Sequence, residues 1–318
     1  MTILFAGGEL SAFSASDFTN VTEATASTGR DTTYTRSAIV ITNPAAWIET
    51  PVFASATTLW VHAEWQTGSA SVSGVPITFY NSVGTAVFRL NGTAGPVLQM
   101  QYWNGSTWTN IGTSFGYTSA TRYTIDIKLV CGSSGSAELY VSGSLISSAS
   151  ATMTAVTNVN KLRLSNTISS SYWTQIIAAD ESTVGWKLAT LAPTADGANT
   201  TWTGTYADVD EATTVSDTDF ISSANADEVE TFTASDASGA GFTVKALVVA
   251  ARARSGSGPQ NIQMAVRSAG ANYFSSSVAN IGAGYAGLQA VFSTDPATGS
   301  AWTLANANSA EIGVKSVA

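Results

Sequence analysis

The sequence predicts an all-β protein made of two tandem antiparallel β-sandwich domains. Short stretches in which every second residue is apolar recur along the chain, as in strands with one buried face. Turn sequences rich in glycine, serine and asparagine separate them, a spacing typical of sandwiches and barrels. At 318 residues, of which 11% are charged, the chain is long enough for two sandwiches and poor in residues that favour surface helices.

The clearest predicted hairpin covers residues 122–146. Apolar and polar residues alternate over 123–129, and the glycines and serines of 132–136 predict a flexible turn. The alternation resumes over 137–141, and Ser142 and Gly143 form a second turn. A strand that returns through so short a turn pairs antiparallel, and this indicates the sheet type.

The first domain is predicted to span residues 1–191. Its other strands are expected at 4–6, 33–42, 58–66, 77–80, 86–90, 97–102, 161–165 and 172–179. The strand at 58–66 has an apolar face and a second, less apolar face that includes Trp60, His62 and Glu64. Asn104 and Gly105 between Trp103 and Trp108 predict a hairpin tip, because both residue types tolerate positive φ.

The second domain is predicted to span residues 192–318. Residues 192–198 are expected to be a linker or an inter-domain turn. Strands are expected at 228–233, 242–252, 261–267, 287–294 and 311–317, with Trp302 as an apolar anchor after the turn at 295–299.

Charge and cysteine content exclude several classes of function. Thirteen Lys and Arg against 22 Asp and Glu give a formal charge of −9, which disfavours nucleic acid and anionic membrane surfaces. Cys131 is the only cysteine, so no intrachain disulfide forms, and we expect it to be a small buried side chain. No apolar run is long enough for membrane insertion. The amino terminus resembles no signal peptide, so synthesis in a cytoplasm is expected.

The first domain resembles concanavalin A-like and laminin-G-like jelly rolls. The resemblance rests on the strand at 122–130, its return at 139–145 and the closing segment 176–181. The opening Gly7-Gly8-Glu9, together with 295–303 and 311–314, is similar to structural proteins of tailed bacteriophages and gene transfer agents. The resemblance implies a virion component that is made in a bacterial host cytoplasm and attached to a capsid or tail. Its implied partners are other virion proteins, further copies of itself as a homo-oligomer such as a trimer, and host surface polysaccharide.

No catalytic residue is predicted. A retaining glycosidase needs two carboxyl groups about 5–5.5 Å apart, whereas Glu64, Asp126 and Glu138 are single carboxylates on separate strands. His62, the sole histidine, is expected to be a hydrogen-bonded residue on the less apolar face of its strand rather than a general base. We therefore expect no enzyme, and a polysaccharide-degrading activity is the least favoured alternative.

No metal or cofactor is predicted either. Asp208, Asp210, Glu211, Asp217 and Asp219 form an acidic cluster whose oxygen ligands would suit calcium. The cluster lacks the central glycine of an EF-hand loop, so a solvated acidic loop is the preferred interpretation and calcium the alternative.

The tryptophans are the candidate binding residues. Six aromatic residues are candidates for a sugar-stacking platform or, alternatively, for core packing: Trp60, Trp65, Trp103, Trp108, Tyr117 and Trp173. Trp60, Trp103 and Trp108 are the predicted glycan-binding residues, and the hairpin pair is the most accessible. The sequence thus predicts a non-enzymatic virion component, with a cellular carbohydrate-binding module as the alternative.

Overall fold

The computed structural model describes residues 2–16, 19–68, 74–93, 95–166, 170–211, 216–238, 241–276 and 281–318. Regular structure in these residues is almost entirely antiparallel strand, so the predicted all-β class is confirmed. The chain divides into two compact units, Met1–Leu188 and Ala189–Ala318, called unit 1 and unit 2 below. The described residues contain no helix of the length and apolarity needed to span a membrane.

Unit 1 is built from strands β1 to β16, with a short 3-10 helix at Leu10–Ala12. The strands are β1 Ile3–Gly7, β2 Ser14–Ala15, β3 Val21–Ala24, β4 Ala38–Ile41, β5 Trp47–Glu49, β6 Thr58–Thr67, β7 Gly74–Tyr80, β8 Ala86–Thr93, β9 Val97–Trp103, β10 Trp108–Asn110, β11 Phe115–Gly116, β12 Tyr123–Val130, β13 Gly132–Val141, β14 Ser144–Met153, β15 Lys161–Ser165 and β16 Ser171–Ala179.

Two antiparallel sheets form unit 1. Sheet 1 has the order β14-β13-β12-β6-β16-β4-β3, with β1 also paired to β16. Sheet 2 has the order β10-β9-β8-β7-β15-β5-β2, with β11 also paired to β9. Apolar side chains such as Leu59 and Ile127 of sheet 1 and Ile77 and Leu90 of sheet 2 are fully or almost fully buried, as expected for a sandwich core.

Two predicted elements of unit 1 differ from the structure. The strand expected at 33–42 is confined to β4, because Asp31 accepts hydrogen bonds that fold residues 31–35 into a turn. The expected turn at 132–136 is largely strand, since Gly132 and Gly135 pair with Met153 and Ala151 of β14. Glycine and serine therefore extend this sheet where local sequence predicted a loop.

Unit 2 is built from strands β17 to β23, a 3-10 helix at Tyr206–Asp208 and the helix α1 Leu304–Ser309. The strands are β17 Pro193–Thr200, β18 Val229–Ala234, β19 Leu247–Ala253, β20 Asn261–Ser268, β21 Ala271–Phe274, β22 Ala286–Phe292 and β23 Glu311–Val317. Five of them form a sheet in the order β17-β18-β23-β20-β21, and β19 pairs with β22.

The core of unit 2 lies between these two layers. Val249 of β19 belongs to one buried cluster with Met264 of β20 and Val314 of β23. Trp302 joins the same cluster, and its indole nitrogen donates to the carbonyl oxygen of Phe292 (2.7 Å). The predicted anchoring role of Trp302 thus agrees with its position.

Two expectations for unit 2 were wrong in detail. Residues 192–198 were expected to be a linker or an inter-domain turn, but 193–198 belong to the edge strand β17. Pro193 occupies the first position of this strand, and a register shift follows it. The long strand expected at 242–252 begins only at Leu247.

Candidate functional site

The outer face of sheet 2 carries a straight row of polar side chains. Cross-strand pairing aligns one residue from each of six neighbouring strands, in the order Asn110, Gln101, Arg89, Thr78, Arg163 and Glu49. These six residues are called the polar row. Opposed residues in paired strands point to the same face, so the row is a consequence of register.

Hydrogen bonds order the polar row at both ends. At one end, Arg89 Nε donates to Gln101 Oε1 (2.7 Å), and Gln101 Nε2 donates to Asn110 Oδ1 (2.8 Å). At the other end, Arg163 Nε donates to Glu49 Oε1 (2.8 Å), and Lys161 Nζ donates to Glu49 Oε2 (2.9 Å). These long side chains are already oriented, which lowers the entropy cost of using them in binding.

Four aromatic rings flank the polar row. Trp103 and Trp108 are directly opposed on β9 and β10, with ring centroids 5.6 Å apart in an edge-to-face arrangement. Tyr80 of β7 and Trp47 of β5 lie further across the sheet. None of the four side chains is fully buried. The face therefore offers both ring surfaces and hydrogen-bonding groups to solvent.

Cations stack on these rings. Arg89 lies 4.1 Å from the centroid of Trp108, Arg163 lies 4.3 Å from that of Trp47, and Lys161 lies 4.9 Å from that of Tyr80. Such contacts hold the rings in place on the outer face of the sheet. The four rings and Lys161, together with the polar row, are called the aromatic–basic face below.

The aromatic–basic face is locally positive. Arg89, Lys161 and Arg163 against the single carboxylate of Glu49 give 3 − 1 = +2, in a chain whose formal charge is −9. Partial burial lowers the pKa of Arg89 and raises that of Tyr80. The guanidinium of Arg89 nevertheless remains a cation at neutral pH.

The structure separates the predicted glycan-binding residues. Trp103 and Trp108 lie on the aromatic–basic face, but Trp60 lies on the outer side of sheet 1 and is only 8% exposed. Its ring packs beside Tyr140 (5.7 Å between centroids) and under Lys128 (5.5 Å). Trp60 therefore does not share a ligand surface with the hairpin pair.

Three other aromatic residues considered for the platform are core residues. Trp65 and Trp173 are completely buried and Tyr117 nearly so. Their rings lie close together, with Trp65 5.3 Å from Tyr117 and 6.2 Å from Trp173. The core interpretation is correct for these three.

Sequence reasoning missed Trp47, Tyr80 and the polar row. Arg89 and Gln101 occupy the polar positions of alternating strands, which a period-2 pattern does reveal. Their alignment in one row depends on strand order, which the local pattern does not contain.

The second face of β6, which the sequence predicts to be the less apolar one, is buried, and His62 is hydrogen-bonded there. His62 Nδ1 and Asp126 Oδ1 lie 2.8 Å apart, and both side chains are inaccessible to solvent. Thr183 Oγ1 donates to the same Asp126 oxygen (2.7 Å). Next to this pair, Lys187 Nζ donates to Glu64 Oε1 (3.0 Å).

The segment 183–188 covers this polar group. Its residues Thr183 and Lys187 donate to Asp126 and Glu64, as described above. The backbone N–H of Leu188 donates to Gln175 Oε1 (3.0 Å). Gln175 has a positive φ of 52° and lies at a register shift in β16, where the strand bulges. Glu64 and Asp126, on separate strands in the sequence, thus lie on one face of adjacent strands, but their buried carboxylates are out of reach of a polymeric substrate.

Two carboxylates of the acidic segment of unit 2 make contacts within the protein. Asp208 accepts from the backbone N–H of Thr205 (2.7 Å), and Asp217 forms an ion pair with Arg252 (2.9 Å). No group of three potential metal-ligating residues occurs among the described residues, which exclude 212–215 of this segment.

No family model matches the sequence, and no curated protein is detectably similar to it. Among solved structures, the globular domain of T. cruzi calreticulin aligns with 10% identity and a TM-score of 0.43, covering 57% of this chain and 89% of that one. The cellulose-induced protein Cip1 aligns with 12% identity and a TM-score of 0.43 (55% and 94%). The endo-β-1,4-glucuronan lyase from the fungus Trichoderma reesei aligns with 7% identity and a TM-score of 0.41 (56% and 90%). These alignments are too distant to indicate a function.

Proposed function

We propose that this protein is a non-enzymatic carbohydrate-binding protein whose unit 1 holds an anionic surface polysaccharide on the aromatic–basic face. The observation that supports this proposal most directly is the alignment of four partly exposed rings with an ordered polar row on one side of one sheet. Ligand sites combine apolar ring surface with a few well-placed polar groups, and this face has both.

Each component suits a part of a sugar. The apolar C–H side of a pyranose ring packs on an aromatic ring, and Trp103 and Trp108 supply that surface at an accessible hairpin. Gln101 and Asn110 supply amide donors and acceptors for hydroxyl groups. From β10 to β5 the face extends over five strand spacings, roughly 24 Å, which accommodates several sugar residues.

Charge favours an acidic glycan. Arg89 makes no ion pair among the contacts described and donates a hydrogen bond only to the neutral Gln101, so its guanidinium can donate further hydrogen bonds to a carboxylate of the ligand. A neutral face would suffice for a neutral polysaccharide, whereas a local +2 on an acidic protein selects for a polyanion.

The biological setting that we propose is the virion of a tailed bacteriophage or gene transfer agent. Support for it comes from the sequence resemblance at residues 7–9 and 295–303. In that setting the protein decorates a capsid or tail, contacts other virion proteins and binds host surface polysaccharide. Mass spectrometry of purified particles tests this part of the proposal, and absence of the protein from the particles contradicts it.

Calorimetric titration with acidic oligosaccharides tests the binding function. Trp108→Ala should weaken binding at least about tenfold, since an aromatic residue that anchors a ligand contributes on the order of 2 kcal/mol. Tyr140→Ala, which removes a partly buried ring from the outer face of sheet 1, is the matched control and should leave affinity unchanged. Unchanged affinity of the Trp108 variant would exclude the aromatic–basic face as the site.

The same preparations test the non-enzymatic part of the proposal. Acidic polysaccharide incubated with the protein should keep its chain length and release no new reducing ends. Cleavage that disappears in Glu64→Gln would contradict the proposal and assign chemistry to the covered face of sheet 1.

A further inference from the structure

The outer edge of sheet 1 is a long strand with a neighbour on one side. β14 comprises ten residues and pairs with β13, and it ends the strand order among the described residues. An edge strand presents a row of backbone N–H and C=O groups that can pair with another strand. We propose that β14 pairs antiparallel with β14 of a second copy of this chain, joining the two sheets across a twofold axis.

The other edges of unit 1 are shortened. At the opposite edge of sheet 1, β3 has four residues. In sheet 2, β2 at one edge has two residues and β10 at the other has three. Short edge strands are a usual protection against intermolecular pairing, so the length of β14 is an exception among these edges.

β14 is also free of charge. Residues 139–160 contain no Asp, Glu, Lys or Arg, although the chain carries 13 basic and 22 acidic residues. Two copies of an acidic protein repel each other, and this edge is a place where they can approach without opposing like charges. Proline, which would remove a ladder hydrogen bond, is absent from β14 as well.

A neighbouring loop already contacts part of β14, and this contact limits the length of strand that a second copy can pair with. The backbone N–H of Thr113 donates to Ser147 Oγ (2.8 Å), so the neighbouring loop covers the start of the strand. Beyond this contact Ser148, Ser150 and Thr152 are exposed, and Ala149 and Ala151 alternate with them. The available segment is therefore 148–153.

A second copy is the occupant that this segment fits best. Antiparallel pairing of a segment with itself is isologous, so the same residues serve both copies and the assembly closes at two. In a continued sheet, exposed residues oppose exposed residues, and small serine and alanine side chains permit close approach. The inference goes beyond the proposed glycan binding and does not depend on it, because β14 and the aromatic–basic face are on different sheets.

Sedimentation over a concentration series extending to the solubility limit tests the proposal. The wild-type chain should form a dimer, and Ser148→Lys with Ser150→Lys should raise the dissociation constant by roughly tenfold or more through opposed like charges. Ser82→Lys with Thr85→Lys, in the exposed turn between β7 and β8, adds the same charge elsewhere and should leave the dimer intact.

A mixing experiment separates lost pairing from damaged folding. Ser148→Glu with Ser150→Glu should weaken the dimer in the same way, and an equimolar mixture with the variant that carries Ser148→Lys and Ser150→Lys should restore a dimer. A wild-type monomer at every concentration would contradict the proposal, as would a mixture that stays monomeric or a trimer unaffected by the substitutions.

Discussion

A partly buried carboxyl group in β3 should make the stability of unit 1 depend on pH. Glu23 Oε1 accepts a hydrogen bond from the backbone N–H of Leu10 (2.7 Å), and Ser37 Oγ lies 3.3 Å from the same oxygen. Burial raises the pKa of Glu23 from 4.5 to about 7, with the nearby charge of Glu9 adding to the rise and the Leu10 bond opposing it.

The sign and size of the effect follow from the two pKa values. The folded state holds the proton more tightly than the unfolded state, so the stabilisation is complete below about pH 4.5 and is lost as the pH rises through about 7. A difference between about 7 and 4.5 corresponds to roughly 3 kcal/mol of unfolding free energy. The contribution of Glu23 therefore makes unit 1 less stable at pH 8 than at pH 4.

Chemical denaturation of the wild type and Glu23→Gln between pH 4 and pH 9 measures the effect. Glutamine does not titrate, so the unfolding free energy of the variant should rise by roughly 3 kcal/mol relative to that of the wild type as the pH rises. Glu138→Gln is the control. Burial raises the pKa of Glu138, but hydrogen bonds from Tyr140 and Lys128 lower it overall. As the pH rises, the wild type should therefore become more stable relative to Glu138→Gln, which is the opposite direction. A constant difference between wild type and Glu23→Gln across this range would refute the reasoning.

Three further substitutions or reagents test other contacts. Asp126→Ala should lower the unfolding free energy by about 3 kcal/mol, because it leaves buried His62 without its partner, and a loss below about 1 kcal/mol in urea denaturation would contradict this. Gly313→Ala would place Cβ 1.9 Å from the carbonyl oxygen of Glu230, so hydrogen exchange should show β18 and β23 destabilised by about 3 kcal/mol, and unchanged protection would contradict the packing. Partial burial raises the pKa of Cys131 to about 11, so its thiol should react with a disulfide reagent at pH 8 at least about tenfold more slowly than free cysteine, and equally rapid labelling would contradict the raised pKa.

The strands themselves were largely predictable, because alternation is a local property. β6 and β23 begin and end within a residue of the predicted ranges, and the pairing of Trp103 with Trp108 follows from the Asn-Gly turn between them. The strand β17 was not predictable in this way. It is polar, begins with a proline and is stabilised by its pairing with β18.

The candidate site was less predictable than the strands, because it depends on which strands become neighbours. Arg163 and Glu49 are 114 positions apart and meet because β15 pairs with β5. Likewise, Asp126 lies opposite His62 because β12 pairs with β6. Periodicity places a side chain on a face, but only the order of strands in the sheet decides what lies beside it.

An NMR titration of the full chain with an acidic oligosaccharide tests the central claim most directly. The indole N–H signals of Trp47, Trp103 and Trp108 should shift together in a saturable way, and the buried Trp65 and Trp173 should change little. Raising the salt concentration should weaken the binding, because the attraction involves exposed charges. Shifts confined to unit 2 or to Trp60, or no shifts with any acidic glycan, would contradict the assignment of the binding face.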